Sequence, residues 1–219
     1  MNGWKAIPML LIAVFAWGAT AANAAEFKAE KYPAVLTGTQ LGTGTGATPG
    51  ESATILSFEG QMTECGSGGF TGELTKASPQ VSITQFGAGC TAFGFMSASL
   101  SWNGCNYRLN IGSGSGDSYS GTFDFVCPEG AKIAITSGNC EIQIGAQNGL
   151  SGVSYENLTT ESPRKLGAVF NISGFTYTKT KDGFLCPFNG TGVATDGKLV
   201  GGTKVSATSG GSATGLRIE

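Results

Sequence analysis

Short runs of β-branched and aromatic residues, separated by polar segments, recur along most of the chain. Gly, Ser, Asn or Pro interrupts these runs about every 8 to 12 residues, which is the spacing of strands in an all-β sandwich or barrel. After residue 25 no stretch keeps a helical period of about 3.6 residues. The sequence therefore predicts an antiparallel all-β fold, with strands at residues 34–39, 54–58, 81–86, 169–172, 175–179 and 199–205.

The first 24 residues have the pattern of a secretory signal peptide. Lys5 supplies a positive charge, residues 8–17 form a short apolar run, and residues 22–24 read Ala-Asn-Ala, a cleavage-site pattern. A membrane-spanning helix needs about 20 apolar residues, more than this run provides. We therefore expect an exported protein with one all-β domain over residues 25–219 and no membrane anchor after cleavage. Residues 206–219, rich in Ser, Gly and Thr, are expected to form a flexible tail.

Six cysteines all lie in the predicted exported part of the chain. An even number in an oxidising compartment favours disulfides, and none of them has the CxxC-type spacing of a zinc site. Consecutive pairing places turn-forming residues near each midpoint. We therefore predict three disulfide-closed hairpins, with the pairs Cys65–Cys90, Cys105–Cys127 and Cys140–Cys186.

Residues 123–127, 131–136 and 140–144 resemble three consecutive strands joined by tight turns. Such a meander places Cys127 and Cys140 at opposite ends of strands that are two apart. Two strand spacings are about 9.5 Å, whereas a disulfide needs Cα atoms within roughly 7 Å. The meander therefore excludes a Cys127–Cys140 pair.

Two features of the cysteine segments are less regular. In the first predicted hairpin Phe70 is out of phase with Cys65, so residues 66–69 would have to hold a β-bulge. Residues 90–95 and 186–190 both place a cysteine and a phenylalanine before a glycine. This similarity leaves open whether the β region is one domain or a duplicated unit.

Composition excludes several classes of function. The 219 residues contain no histidine, which rules out Ser-His-Asp and Cys-His catalysis and HExxH zinc sites. The formal net charge of −2 gives no electrostatic reason to expect a nucleic acid or an anionic membrane as partner. Only 13% of the residues are charged. A surface of Ser, Thr and Gly would suit contact with cell-wall or extracellular polysaccharide.

Carboxylates are the main alternative source of chemistry, because a glycosidase needs only two of them, about 5 to 10 Å apart. Glu64, Asp124 and Glu141 each lie near a predicted disulfide. Strand alternation, however, places Asp124 and Glu141 on the solvent-facing side. The glycines of residues 112–117 precede no helix and no phosphate-binding lysine, and Asp117 alone is too little for calcium. We therefore predict no catalytic, cofactor-binding or metal-binding residues, and no cofactor.

Trp102 is the one candidate for a ligand contact. It is the only tryptophan after the predicted cleavage site. An exposed aromatic ring on a sheet can stack on a sugar, although carbohydrate sites usually combine several aligned aromatic residues. Packing of Trp102 against the core at a strand end is the competing interpretation.

Four cysteine-centred motifs carry a resemblance to known sequences: residues 90–95 (CTAFGF), 103–105 (NGC), 126–130 (VCPEG) and 182–188 (DGFLCPF). Together they resemble a group of secreted, uncharacterised proteins that occur in many copies in soil actinobacteria. The resemblance extends from about residue 35 to about residue 205. It implies an exported, cysteine-stapled β protein and implies no activity.

These observations predict an exported, non-enzymatic β-rich protein of the cell envelope or extracellular space. Its activity is unknown, and its expected role is that of an interaction module for polysaccharide or protein. A carboxylate-dependent extracellular hydrolase, similar to a glycosidase, is the alternative. A structural subunit that assembles through exposed edge strands is the third hypothesis.

Overall fold

The computed structural model describes residues 24–40, 52–93, 96–183, 186–188 and 190–219. In this part of the chain there are fifteen β-strands and no helix. The all-β prediction is therefore confirmed. Within the same ranges, no segment forms a helix that is long and apolar enough to cross a membrane. Residues 1–23 of the predicted signal peptide lie outside the described residues.

The strands are numbered in chain order. They are β1 (Phe27–Ala29), β2 (Ala34–Gln40), β3 (Ser52–Phe58), β4 (Gln61–Leu74), β5 (Gln80–Ala92), β6 (Met96–Ser101), β7 (Asn106–Ser115), β8 (Ser118–Val126), β9 (Ile133–Ser137), β10 (Cys140–Ile144), β11 (Gln147–Leu158), β12 (Lys165–Asp182), β13 (Gly192–Ser209), β14 (Ser212–Thr214) and β15 (Leu216–Ile218).

Eight strands close into an antiparallel barrel. The order of neighbours is β2–β4–β5–β7–β8–β11–β12–β13, and β13 pairs with β2 to complete the circuit. We call this circuit the first ring. Closure gives the strands of the ring a neighbour on each side, so the ring itself has no free sheet edge.

The other ends of four long strands belong to a second closed circuit. Strands β4, β5, β12 and β13 are 13 to 18 residues long and extend beyond the first ring. There they pair with the short strands β3, β6, β9 and β10 in the order β3–β4–β5–β6–β9–β10–β12–β13, and β13 returns to β3. We call this circuit the second ring. The two rings therefore share four strands.

One continuous aromatic core fills both rings. Tyr107, Phe123 and Phe125 from the first ring contact one another edge to face, with centroid distances of 4.5 to 5.4 Å. Phe125 also contacts Phe175, and Phe175 contacts Phe58 of the second ring. These five rings are at most 1% exposed. The core leaves no division between the two circuits.

The shared hairpin β4–β5 presents opposite faces to the two rings. In β4 the buried residues are Thr63 at one end and Phe70 and Leu74 at the other. In a regular strand Thr63 lies on the opposite face from Phe70 and Leu74. The register with β5 is nevertheless constant from Thr63 to Gly72. The predicted β-bulge at residues 66–69 is therefore wrong. The buried face changes where the hairpin is rich in glycine, and we call this segment the waist.

The last residues of the chain are ordered strands, which corrects the expectation of a flexible tail over residues 206–219. β13 continues to Ser209, and β15 pairs with β1 in a separate two-stranded sheet. Phe27, Leu216 and Ile218 of this small sheet are 1% exposed. Phe27 and Leu216 lie against inward-facing side chains of the first ring. The small sheet is therefore a plug for that ring.

The disulfides are Cys65–Cys90, Cys105–Cys127 and Cys140–Cys186, the pairs expected from the sequence. The first two each close one hairpin, β4–β5 and β7–β8. The third does not, because Cys140 begins β10, which pairs with β12 across the intervening β11. The predicted meander is correct for β9 and β10, which pair with each other. It is wrong for β8, which pairs with β7 and β11 and not with β9.

Candidate functional site

A small cavity lies at the waist, where the two rings share β4 and β5. Its volume is about 40 Å³, and residues of both rings line it. The lining extends from exposed Phe86 and Gly87 to fully buried Tyr107, so the cavity opens to the surface beside Phe86. We call it the waist cavity.

Two aromatic side chains flank the waist cavity. Trp102, just after β6, is half-buried and packs edge to face on Tyr107 at a centroid distance of 5.3 Å. Phe86 on β5 is 55% exposed. Its ring lies over Gly69 of β4, where a Cβ atom would be 2.9 Å from the ring. Trp102 therefore packs on the core, as the competing interpretation expects, and it also lines a cavity.

The inner wall of the waist cavity carries a hydroxyl group with unused hydrogen-bonding capacity. Thr63 is 3% exposed, and its Oγ1 has no hydrogen-bond partner among the described residues. Thr54, Thr203 and Gln85 add polar atoms to the lining. Burial of an unpaired hydroxyl costs about 1–3 kcal/mol. A small polar group in the cavity would offset that cost.

The rest of the inner wall is apolar and uncharged. Phe70, Tyr107 and Phe170 contribute aromatic surface. Burial raises the pKa of Tyr107 far above its usual value, so this phenol stays neutral. Cys65 also lines the cavity, and its disulfide to Cys90 joins β4 to β5 there. The wall is therefore held rigidly and suits an uncharged group with one polar atom.

Asp124 is buried, which differs from the solvent-facing position expected for it. It accepts hydrogen bonds from Arg108 Nε at 2.7 Å, Asn110 Nδ2 at 3.0 Å and the Gly149 backbone N–H at 2.6 Å. Burial alone would raise its pKa, but these hydrogen bonds and the charge of Arg108 outweigh burial and lower it. These hydrogen bonds connect β8 to β7 and to the start of β11, so they hold neighbouring strands of the first ring together.

The other two candidate carboxylates lie elsewhere. Glu141 on β10 pairs with Lys181 and accepts hydrogen bonds from Gln143 and Thr180, and these partners lower its pKa. Glu64 is half-buried on β4. The strands β4, β8 and β10, which carry the three candidates, do not pair with one another. The three carboxylates are therefore not cross-strand neighbours.

A polar cluster that the sequence did not indicate lies on the second ring. Lys179 is 7% exposed and binds Glu59 at 2.5 Å. Asp196 accepts hydrogen bonds from the Tyr177 hydroxyl at 2.7 Å and the Glu59 backbone N–H at 2.9 Å. Burial is the largest cause that raises the pKa of Tyr177 above its usual range, and the hydrogen bond to Asp196 is the second. Glu59 is 120 residues before Lys179 in the chain, so no local motif could have revealed the cluster.

The glycine-rich segment at residues 112–117 is a hairpin tip. β7 continues to Ser115, and the turn to β8 has a positive φ of 62° at Gly116. Within the described residues no group of three or more Cys, Asp or Glu side chains is arranged to hold a metal ion.

No protein-family model, curated protein or solved structure matches this chain. The case for the waist cavity therefore depends on its own geometry: an aromatic rim, an apolar wall and a buried hydroxyl.

Proposed function

We propose that this protein is an exported, non-enzymatic binding module of the cell envelope or extracellular space, and that its waist cavity binds polysaccharide. The observation that carries the proposal is the combination of exposed Phe86 and half-buried Trp102 beside a cavity with the unpaired Thr63 hydroxyl. Aromatic faces stack on the C–H groups of sugar rings, and hydroxyl groups bind their polar substituents.

The size of the waist cavity defines how a chain of sugars would bind. At about 40 Å³ the cavity is too small for a sugar ring. The ring would lie on the surface against Phe86 and Trp102, and only one substituent would enter. The neutral lining also favours an uncharged polymer over an acidic or basic one.

Export is supported by the three disulfides, which persist in oxidising compartments. Low charge and a surface rich in Ser, Thr and Gly are compatible with contact with polysaccharide. The resemblance to secreted proteins of soil actinobacteria is consistent with the same location.

A pull-down on insoluble cell-wall and extracellular polysaccharides tests the binding function. We expect retention of the native protein and an affinity about tenfold lower, or about 1.4 kcal/mol, for Trp102→Ala and Phe86→Ala. Val193→Ala is the matched control, since Val193 is 70% exposed and does not line the cavity. Retention no greater than that of the reduced, unfolded protein would refute the proposal.

The alternative hydrolase is tested with the same polymers. Release of reducing ends by the native protein, and its loss in Asp196→Asn or Glu59→Gln, would favour the alternative. These two residues are the natural targets because they belong to one polar cluster. We expect no release, because Lys179, Tyr177 and the Glu59 backbone already engage their oxygens.

A further inference from the structure

We propose that the waist cavity is specific for the acetyl part of a 2-acetamido sugar. The inference rests on the proposed function and names the substrate class of the same site. It follows from the volume of the cavity, the chemistry of its wall and the orphaned hydroxyl of Thr63.

Volume limits the group that can enter. A cavity of about 40 Å³ has room for a substituent of a few non-hydrogen atoms and no room for a sugar ring. The acetyl part of an acetamido group has three: the carbonyl carbon, its oxygen and the methyl carbon. A ring hydroxyl has one and a hydroxymethyl group has two, so either would leave part of the apolar wall uncovered.

The wall offers complementary chemistry to both ends of an acetyl group. The methyl carbon would contact the aromatic surface of Phe70, Tyr107 and Phe170. The carbonyl oxygen would accept a hydrogen bond from Thr63 Oγ1, which has no partner among the described residues. A hydroxyl or hydroxymethyl group would satisfy Thr63 but would place polar atoms against the aromatic wall, at a desolvation cost.

Two matched ligands isolate the acetamido group. Hexamers of β-1,4-linked N-acetylglucosamine and of β-1,4-linked glucose share the same backbone and differ at the C2 substituent. Calorimetric titration of the native protein should give tighter binding of the acetylated hexamer. Thr63→Val keeps the shape of the side chain and removes its hydroxyl. In this variant the affinity for the acetylated hexamer should fall about two- to tenfold and that for the glucose hexamer should fall less, so the ratio of the two affinities should fall.

Thr214 supplies the control, because its Oγ1 is also buried and has no partner among the described residues, but it lies on β14 outside the cavity. Thr214→Val should leave the ratio of the two affinities unchanged. Neither variant should be less stable to heat than the native protein, since each loses a buried hydroxyl without a hydrogen-bond partner among the described residues.

The inference would be overturned by equal binding of the two hexamers, by binding of neither, or by a Thr63→Val variant with the native ratio of affinities. Preference for an acetyl-lysine peptide over the acetylated hexamer would also overturn it. The binding function would survive any of these results if Trp102→Ala still lost retention on another polysaccharide. Failure of the proposed binding function would be recognised separately, by the absence of retention on every polymer.

Discussion

Gly38 and Phe70 face each other on neighbouring strands of the first ring. A Cβ atom on Gly38 would clash with the Phe70 ring and would lie 2.8 Å from Thr203 Oγ1. Many glycines serve turns that need positive φ, and Gly116 is such a case. Gly38 is needed instead for close approach of a ring. Its partner is known only once β2 pairs with β4, so the sequence pattern could not reveal this role.

At the residue scale, Asp124 is expected to make stability depend on pH. Its pKa is lower in the folded than in the unfolded protein, so its stabilising contribution is complete above about pH 5 and is lost as pH falls below about 4. Asp124→Asn should lower the free energy of unfolding by about 1–3 kcal/mol at neutral pH. The difference from the native protein should shrink in acid.

Urea unfolding at pH 7, 5 and 3 measures this difference. Asp117→Asn is the control, because Asp117 lies in the exposed turn after β7. A destabilisation by Asp124→Asn that is equally large at pH 3 would show that the carboxylate charge is not the cause.

At the element scale, strands were easier to predict than their partners. The alternation of apolar and polar residues predicts strands within residues 34–40, 52–58 and 140–144, where the structure has them. This alternation depends only on the residues of the strand itself. Pairing depends on segments far apart in the chain. The pair Cys140 and Cys186 predicts one hairpin, but Cys140 begins β10 and Cys186 follows the end of β12. These two strands pair although β11 lies between them in the chain. No local signal in the turns distinguishes these two topologies.

The plug sheet depends on one side chain of β11. Asn157 Nδ2 donates to the Ile218 carbonyl at 2.9 Å, and its Oδ1 accepts from the Ile218 N–H at 2.8 Å. Asn157→Ala would leave two buried backbone groups unpaired and should lower the free energy of unfolding by about 2–4 kcal/mol. Amide hydrogen exchange should also accelerate at residues 216–218.

Asn171→Ala is the matched control for the plug. Asn171 is exposed on β12, so its truncation should change neither stability nor exchange. Unchanged exchange at residues 216–218 in Asn157→Ala would show that packing of the apolar side chains, and not the Asn157 amide, holds β15 in place.

At the scale of the whole molecule, ring closure is the feature that the sequence could not predict. Closure of the first ring requires β13 to pair with β2, which is near the other end of the chain. The waist cavity depends on both rings. Thr63 lies on β4, Trp102 follows β6 of the second ring, and Phe170 lies on β12. Trp102 alone was identifiable in advance, because it is a single exceptional residue. Thr63 and Phe86 have no distinguishing sequence pattern.

Shared strands and a common aromatic core should make the two rings unfold together. Leu36→Ala removes a buried side chain from the first ring and Ile142→Ala one from the second, and each should cost about 2–5 kcal/mol. With the disulfides intact, each variant should show one transition, at the same denaturant concentration by Trp102 fluorescence and by far-ultraviolet circular dichroism. Val193→Ala, on the exposed surface, should leave the midpoint unchanged. If Ile142→Ala accelerated hydrogen exchange only in β3, β6, β9 and β10, the rings would be independent units, and the waist would be a boundary between them.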